Sequence, residues 1–267
     1  MKRKTQRKTA GPRVVEKPGL HIGTSGWSYG EWDRVFYPEG VKSTYDRLAF
    51  YAGHFHTVEV NYSFYHLPKP ETYQKWAATV PDEFLFAVKA SRFITHIQKL
   101  VGVKASWTRF ITGARTLGDR LGPILLQFPP SLRADPIRLS RFLDLLRKDT
   151  DTPPVHPVFE FRHPTWFTKE IYTILRKADA ALCIAQSSRY PCVEGVTADL
   201  VYYRFHGPQE LFASRYSDED LRYWAGKMKA LLKEGKTVYA YFNNTLNGYA
   251  VENARTLRAL IEKGRVS

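Results

Sequence analysis

The sequence predicts a single (β/α)8 barrel, and three observations predict it. Eight short apolar runs with strand character are spread over about 250 residues, and most are followed by a stretch of helical periodicity. The first strand is not followed by the phosphate-binding glycine turn that an open, doubly wound sheet usually carries. Gly23–Gly30 (GTSGWSYG) is glycine-rich, but bulky Trp27 and Tyr29 stand where such a loop needs small residues. Polar side chains also recur at the C-terminal ends of the strands, where a barrel keeps its chemistry. The open sheet is the alternative architecture.

In chain order the strands are read at Leu20–Thr24, Thr57–Asn61, Phe84–Lys89, Pro123–Phe128, Val158–Arg162, Ala181–Ala185, Val201–His206 and Val238–Asn243. Helices are read at Ser43–His54 and Lys69–Thr79, and at Lys104–Leu121 with Trp107, Phe110, Ile111, Ala114 and Leu117 on one face. Asp135–Lys148 follows the fourth strand, with Asp135 as N-cap, Pro136 in the first turn, and Ile137, Phe142, Leu145 and Leu146 as its apolar stripe. Thr168–Lys177 follows the fifth. The stretch Gln186–Asp199 holds Pro191 and Gly195, so the helix after the sixth strand is missing or short. Ser217–Glu234 is capped by Ser217, carries Asp218–Asp220 at its positive end and stops at Gly235. Tyr249–Lys263 is the last helix, with Gly264 as terminator.

A chain of 267 residues with 43% hydrophobic residues can bury a large core. The net charge of +14 is uneven: residues 1–17 hold seven Lys or Arg and one Glu. That segment reads as a disordered basic arm ahead of a barrel domain at 18–267, and such an arm attracts nucleic acid by counterion release. A solvated tail without a partner is the alternative. No apolar run is long enough to span a membrane, and the basic start lacks the apolar segment of a signal peptide. Cys183 and Cys192 form no C-x-x-C motif, which places the protein in a reducing cytoplasm. Oligomeric state is not legible.

The segment Pro157–Phe167 (PVFEFRHPTWF) shows the site most clearly. Val158, Glu160 and Arg162 alternate with Phe159 and Phe161, so a carboxylate and a guanidinium share one strand face until Pro164 ends the strand. The same pattern recurs elsewhere. Glu59 and Asn61 end the second strand, Lys89 the third and Gln127 the fourth. His163 follows Arg162, Arg204 and His206 end the seventh, and Asn243 and Asn244 the eighth. Together these predict one polar pocket. Aromatic loops surround it, and Trp27, flanked by Gly26 and Gly30, is read as an exposed stacking surface.

These strand ends also carry a resemblance. TSGWSY at Thr24–Tyr29, VEVNYSFY at Val58–Tyr65, F-x-F-x-x-K-A at Phe84–Ala90 and LLQFPP at Leu125–Pro130 resemble the YecE-like family, domain of unknown function seventy-two. So do FEFRHP-x-W at Phe159–Trp166, YYRFHG at Tyr202–Gly207 and YFNN at Tyr241–Asn244. The match runs in order over about Leu20–Ile261 and leaves the basic arm outside. The resemblance implies a (β/α)8 barrel and supplies no reaction.

The pocket pairs two acids, Glu59 and Glu160, with three cations, Lys89, Arg162 and Arg204. Cations so close to the carboxylates disfavour a divalent metal, and no H-E-x-x-H or cysteine cluster occurs, so no metal and no cofactor are expected. A small anionic ligand is expected instead, held by Arg162 and Arg204. Glu59, Glu160, Lys89 and His206 are the expected catalytic residues. Trp27, Asn61, Gln127, Arg162, His163, Arg204, Asn243 and Asn244 are the expected substrate-binding residues. Three functions fit: a metal-independent hydrolase, lyase or isomerase; a nucleic-acid-binding or nucleic-acid-processing barrel; and a non-catalytic binder of an anionic metabolite.

Overall fold

The computed structural model describes residues 19–147 and 154–263. Eight parallel strands form one sheet: β1 Leu20–Thr24, β2 Thr57–Val60, β3 Leu85–Lys89, β4 Leu121–Gln127, β5 Pro157–Glu160, β6 Ala181–Gln186, β7 Leu200–Phe205 and β8 Thr237–Phe242. Each pairs with its neighbour in sequence, and β8 pairs with β1. The circle is completed between β1 and β2 by one bridge, Ser25 opposite Glu59, where the Gly26 N–H donates to the Glu59 carbonyl at 2.8 Å. The architecture is the (β/α)8 barrel, not the open sheet.

Helices lie between the strands: α1 Thr44–Ala52, α2 Tyr62–Tyr65, α3 Pro70–Thr79, α4 Lys104–Ala114, α5 Pro136–Arg147, α6 Lys169–Lys177, α7 Asp218–Lys233 and α8 Tyr249–Glu262. Ser43, Thr168 and Ser217 accept backbone N–H bonds as N-caps, and Asp220 completes a capping box on α7. Asp135 accepts from Arg138 N at 2.9 Å, the expected cap of α5. No helix follows β6.

Several boundaries differ from the sequence reading, each for a local reason. Asn61, Arg162, His206 and Asn243 lie just past their strands, because the chain turns one or two residues earlier than apolar alternation indicates. The helix expected to reach Leu121 stops at Ala114. A tight turn over Arg115–Arg120 follows, with Gly118 at φ 61°, and Leu121 begins β4. Ile137, read as buried, is 65% exposed, since α5 turns its first residues outward. The one-turn helix α2 and a π-type turn at Phe93–Ile97 carried no periodic signal. The basic arm, the end of the α5 reading and Gly264 lie outside the described residues.

Alternation along the strands makes two cores. Phe159 and Phe161 face outward, toward the helix layer, where Phe161 stacks on Trp166 with ring centres 4.2 Å apart. Val158 faces inward with Ala87, Leu125, Ala181 and Ala185, opposite Tyr202, Tyr239 and Tyr241. Small residues on β3 and β6 thus leave room for tyrosines from β7 and β8. Two phenols reach across to β2: the Tyr241 hydroxyl meets Thr57 Oγ1 at 2.6 Å, and the Tyr202 hydroxyl donates to Glu59 Oε2 at 2.8 Å.

The closing seam leaves no space for a side chain at Gly23 of β1. A Cβ added to Gly23 would lie 2.3 Å from the Thr57 carbonyl oxygen. Gly23→Ala must therefore part the strands, and it is expected to cost about 2–3 kcal/mol. A urea unfolding midpoint equal to that of the unchanged protein would contradict this packing.

Candidate functional site

The site is a buried charge lattice at the C-terminal end of the barrel, with Arg204 at its centre. Arg204 projects inward from β7, level with Ala185 and Tyr241 of the flanking strands. Its Nε donates to Glu59 Oε2 at 2.9 Å and its Nη2 to Glu59 Oε1 at 2.7 Å, a two-pronged pair with the carboxylate of β2. Its Nη1 donates to Glu160 Oε2 of β5 at 2.5 Å. Glu160 Oε1 accepts from Arg162 Nε at 2.7 Å, and Glu59 Oε1 accepts from Ser25 Oγ at 2.7 Å. Arg204, Glu59 and Glu160 are buried.

These contacts fix the protonation states. Burial, the largest influence, would raise the Glu59 and Glu160 carboxyls, but Arg204 together with Ser25 and Lys89 at Glu59, and with Arg162 and His206 at Glu160, outweighs it and holds both below the usual carboxylate range, Glu160 well below. Every carboxylate oxygen of the pair is already engaged. His206 is pulled down to about 4 by burial and by Arg204, so it is neutral. Its Nδ1 accepts from the Asn243 amide at 3.1 Å and its Nε2 lies 3.7 Å from Glu160 Oε1.

Lys89 is different. It stands at the end of β3, 7% exposed, with Nζ 4.0 Å from the centre of the Phe64 ring. No hydrogen bond or ion pair among the described residues engages its ammonium. Burial, then the like charge of Arg204, pull its pKa from 10.5 to about 7, and the attraction of Glu160 and Glu59 offsets only part of this.

Arg162 keeps a free edge. Its Nε is taken by Glu160 and its guanidinium lies over the Tyr190 ring at 4.4 Å, while nothing among the described residues bonds its terminal nitrogens. Gln127 lies at the rim, with its amide against the Phe128 carbonyl at 2.9 Å and His96 at 3.4 Å.

Four sequence expectations need correction. Arg204 was expected to hold an anionic ligand, but each of its three guanidinium nitrogens is engaged by Glu59 or Glu160. Asn244 turns away, donating to Ser214 O and to Asn253 Oδ1 of α8. His163 caps the turn at Pro164–Trp166 by accepting from Thr165 N at 3.3 Å. Trp27 is 5% exposed, not an open stacking face. Its Nε1 donates to the Thr44 carbonyl at 3.1 Å, and Gly26, at φ 91°, lets Tyr29 fold back onto Ser25 O.

Sequence reasoning missed Ser25, Tyr202, His96 and Tyr190. Ser25 and Tyr202 lie in the quoted motifs and at strand positions, so an inward-face reading could have found them. His96 sits in the short π-type turn and Tyr190 in a loop, neither of which shows periodicity. His96 is held down to about 4 by burial and then by Lys89 and Arg162, which places it beside the pocket cations. Among the described residues, no group of three or more His, Cys, Asp or Glu side chains could hold a metal ion. No helix among them is long and apolar enough to cross a membrane.

Two stability measurements test this electrostatic picture. Arg204→Leu strands two carboxylates in the barrel and is expected to cost more than about 3 kcal/mol. A loss under about 1 kcal/mol in urea unfolding would refute the lattice. Lys89→Met is expected to stabilise. The folded-state pKa lies below the unfolded one, so the unfolded chain binds the extra proton between pH 7 and about 10. The gain from Met is therefore largest below pH 7 and shrinks as pH rises, by on the order of 2 kcal/mol between pH 6 and 9. A gain that grew with pH would have the wrong sign.

Comparison with known proteins places this geometry in a family. The family model described as "Protein of unknown function DUF72" matches residues 21–266. The UPF0759 protein YunF of Bacillus subtilis is 24% identical over 91% of this chain and 95% of its own. The UPF0759 protein YecE of Escherichia coli is 33% identical over 56% of this chain and 51% of its own. A crystal structure of a DUF72 family protein from Thermotoga maritima superposes with a TM-score of 0.78 at 28% identity, covering 91% of this chain and 99% of that one. One from Enterococcus faecalis superposes with a TM-score of 0.77 at 22% identity. With nearly the whole barrel inside the matched region, this chain belongs to the DUF72, YecE-like family.

Proposed function

We propose that the barrel mouth is a metal-independent enzyme site for a small anionic substrate, with Lys89 as the group that exchanges a proton with it. The observation that carries this reading is the uncompensated, buried Lys89 amine beside a charge lattice that is otherwise fully paired. An amine with a pKa near 7 is divided between base and acid forms at neutral pH, which suits proton transfer in either direction. Free edge nitrogens on Arg162 suit a carboxylate or phosphate. In this reading the anion pairs with Arg162 and neutral Lys89 takes a proton from a neighbouring carbon or hydroxyl. The ammonium so formed sits close to the new negative charge on the substrate. Glu59 and Glu160, expected from sequence as acid or base, hold Arg204 and Arg162 in place instead, as preorganised dipoles. A lyase or isomerase that begins with proton abstraction fits best, and a hydrolase fits next.

Charge favours a second reading. The +14 net charge, of which +6 lies in residues 1–17, suits a nucleic acid bound through the arm. A non-catalytic binder of the same anion would use Arg162 and Lys89 without turnover.

A thermal-shift screen separates the three, run on the full chain and on the chain lacking residues 1–17. Sugar phosphates, small carboxylates, nucleotides and short oligonucleotides are the probes, and a ligand at 100 times its Kd stabilises by about 2.7 kcal/mol. A small anion is expected to shift both forms, with the shift lost in Arg162→Ala. Lys89→Met should retain binding and lose at least about 100-fold in turnover, which in the unchanged protein rises through about pH 7. Full turnover in Lys89→Met would end the assignment. Binding without turnover would make the protein a sensor, and a shift seen only with oligonucleotides and lost with the arm would make it a nucleic-acid binder.

A further inference from the structure

A second cavity, of about 490 Å³, opens beside the charged cluster. The short helix α2 stands between the two: its Phe64 covers Lys89 Nζ, while its Tyr62 lines the cavity. The lining is aromatic and contains no charged residue. That composition disfavours the anion expected at Arg162 and selects a neutral ligand.

Ring geometry narrows the class further. Trp27 and Trp76 meet at 87°, and Tyr62 and Trp76 at 89°. Trp27 and Tyr62 each meet Trp76 edge to face, so Trp76 shares no parallel sandwich with either of them. A planar nucleobase, which gains most from a sandwich, finds none that includes Trp76. A puckered saturated ring can lay its C–H face on one aromatic ring and direct hydroxyls at the surrounding walls. Polar groups stand ready for hydroxyls. Asn61 lines the cavity and its Oδ1 is buried with no hydrogen-bond donor, an unusual state for a buried acceptor. Thr72 also lines it, and Tyr62, 53% exposed, stands at its mouth. The Trp27 indole N–H is already bonded to Thr44 O, which fixes that ring as a wall.

We propose that this cavity binds the neutral pyranose ring of a sugar, stacked on an aromatic face and hydrogen-bonded through its hydroxyls to Asn61 and Thr72. The site is distinct from the Lys89 pocket and does not depend on the reaction proposed there.

Saturation-transfer NMR on the full chain tests it, with the methyl glycosides of glucose, galactose, mannose and xylose, and with adenosine as the planar comparison. At least one glycoside is expected to receive saturation, chiefly at its ring C–H protons, and to quench tryptophan fluorescence. Tyr62→Ala, on an exposed residue, should weaken the apparent affinity roughly fivefold, and Asn61→Leu should weaken it further. Lys89→Met should leave it unchanged. No transfer to any glycoside, from a chain that still shows its normal melting transition, overturns the proposal. So does transfer undiminished by Tyr62→Ala, binding abolished by Lys89→Met, or adenosine bound in preference to every glycoside.

Discussion

The constraint on which the top of this barrel depends is the grip of one guanidinium on two carboxylates from distant strands. Arg204 of β7 holds Glu59 of β2 and Glu160 of β5, so three strands far apart in sequence are tied at one level of the barrel. Desolvating three charges is costly, and geometry of this quality is what makes it tolerable. A hydrophobic plug could fill the same space with as much stability. A charge lattice there instead fixes a strong, directional field where the barrel meets solvent.

That field explains why the remaining residues behave so differently from one another. Two acids and two guanidiniums pair off, and the cations of the pair push on anything basic nearby. Burial, with that like charge added to it, leaves His206 and His96 neutral and Lys89 half inclined to lose its proton. A lysine on the surface at the same strand end would keep its ordinary pKa. The unusual group is thus produced by burial first and by the like charge of its neighbours second.

Much of this was legible because strands alternate. Glu59, Glu160 and Arg204 share a face with apolar neighbours at two-residue spacing, and a barrel rule turns that face inward. The order of strands and helices followed from the same patterns. What alternation does not carry is the direction of side chains past a strand end. His163 and Asn244 sit beside Arg162 and Asn243 in sequence, yet the chain has already turned, and they serve a helical turn and a loop. Trp27 failed for another reason: its flanking glycines permit exposure, but Tyr29, Thr44 and Trp76 close over it, and those partners come from separate segments. Tyr190 and His96 reach the charged cluster from a loop and a single π-type turn, too short for any period to point inward. Arg204 was placed on the inward face by alternation and read as a ligand-binding group, because pairing partners depend on which strands face each other across the barrel.

The barrel closes between β1 and β2 through the bridge of Ser25 with Glu59. Glu59 is also the carboxylate that Arg204 grips, and Ser25 bonds its side chain. The thinnest line in the hydrogen-bonded wall therefore runs through its most charged residue. Local opening of a barrel begins where its ladder is shortest. Here such an opening would have to unseat a buried ion pair, so the charge lattice acts as a clasp on the seam, and amide exchange along β1 and β2 reports on the electrostatic state of the mouth.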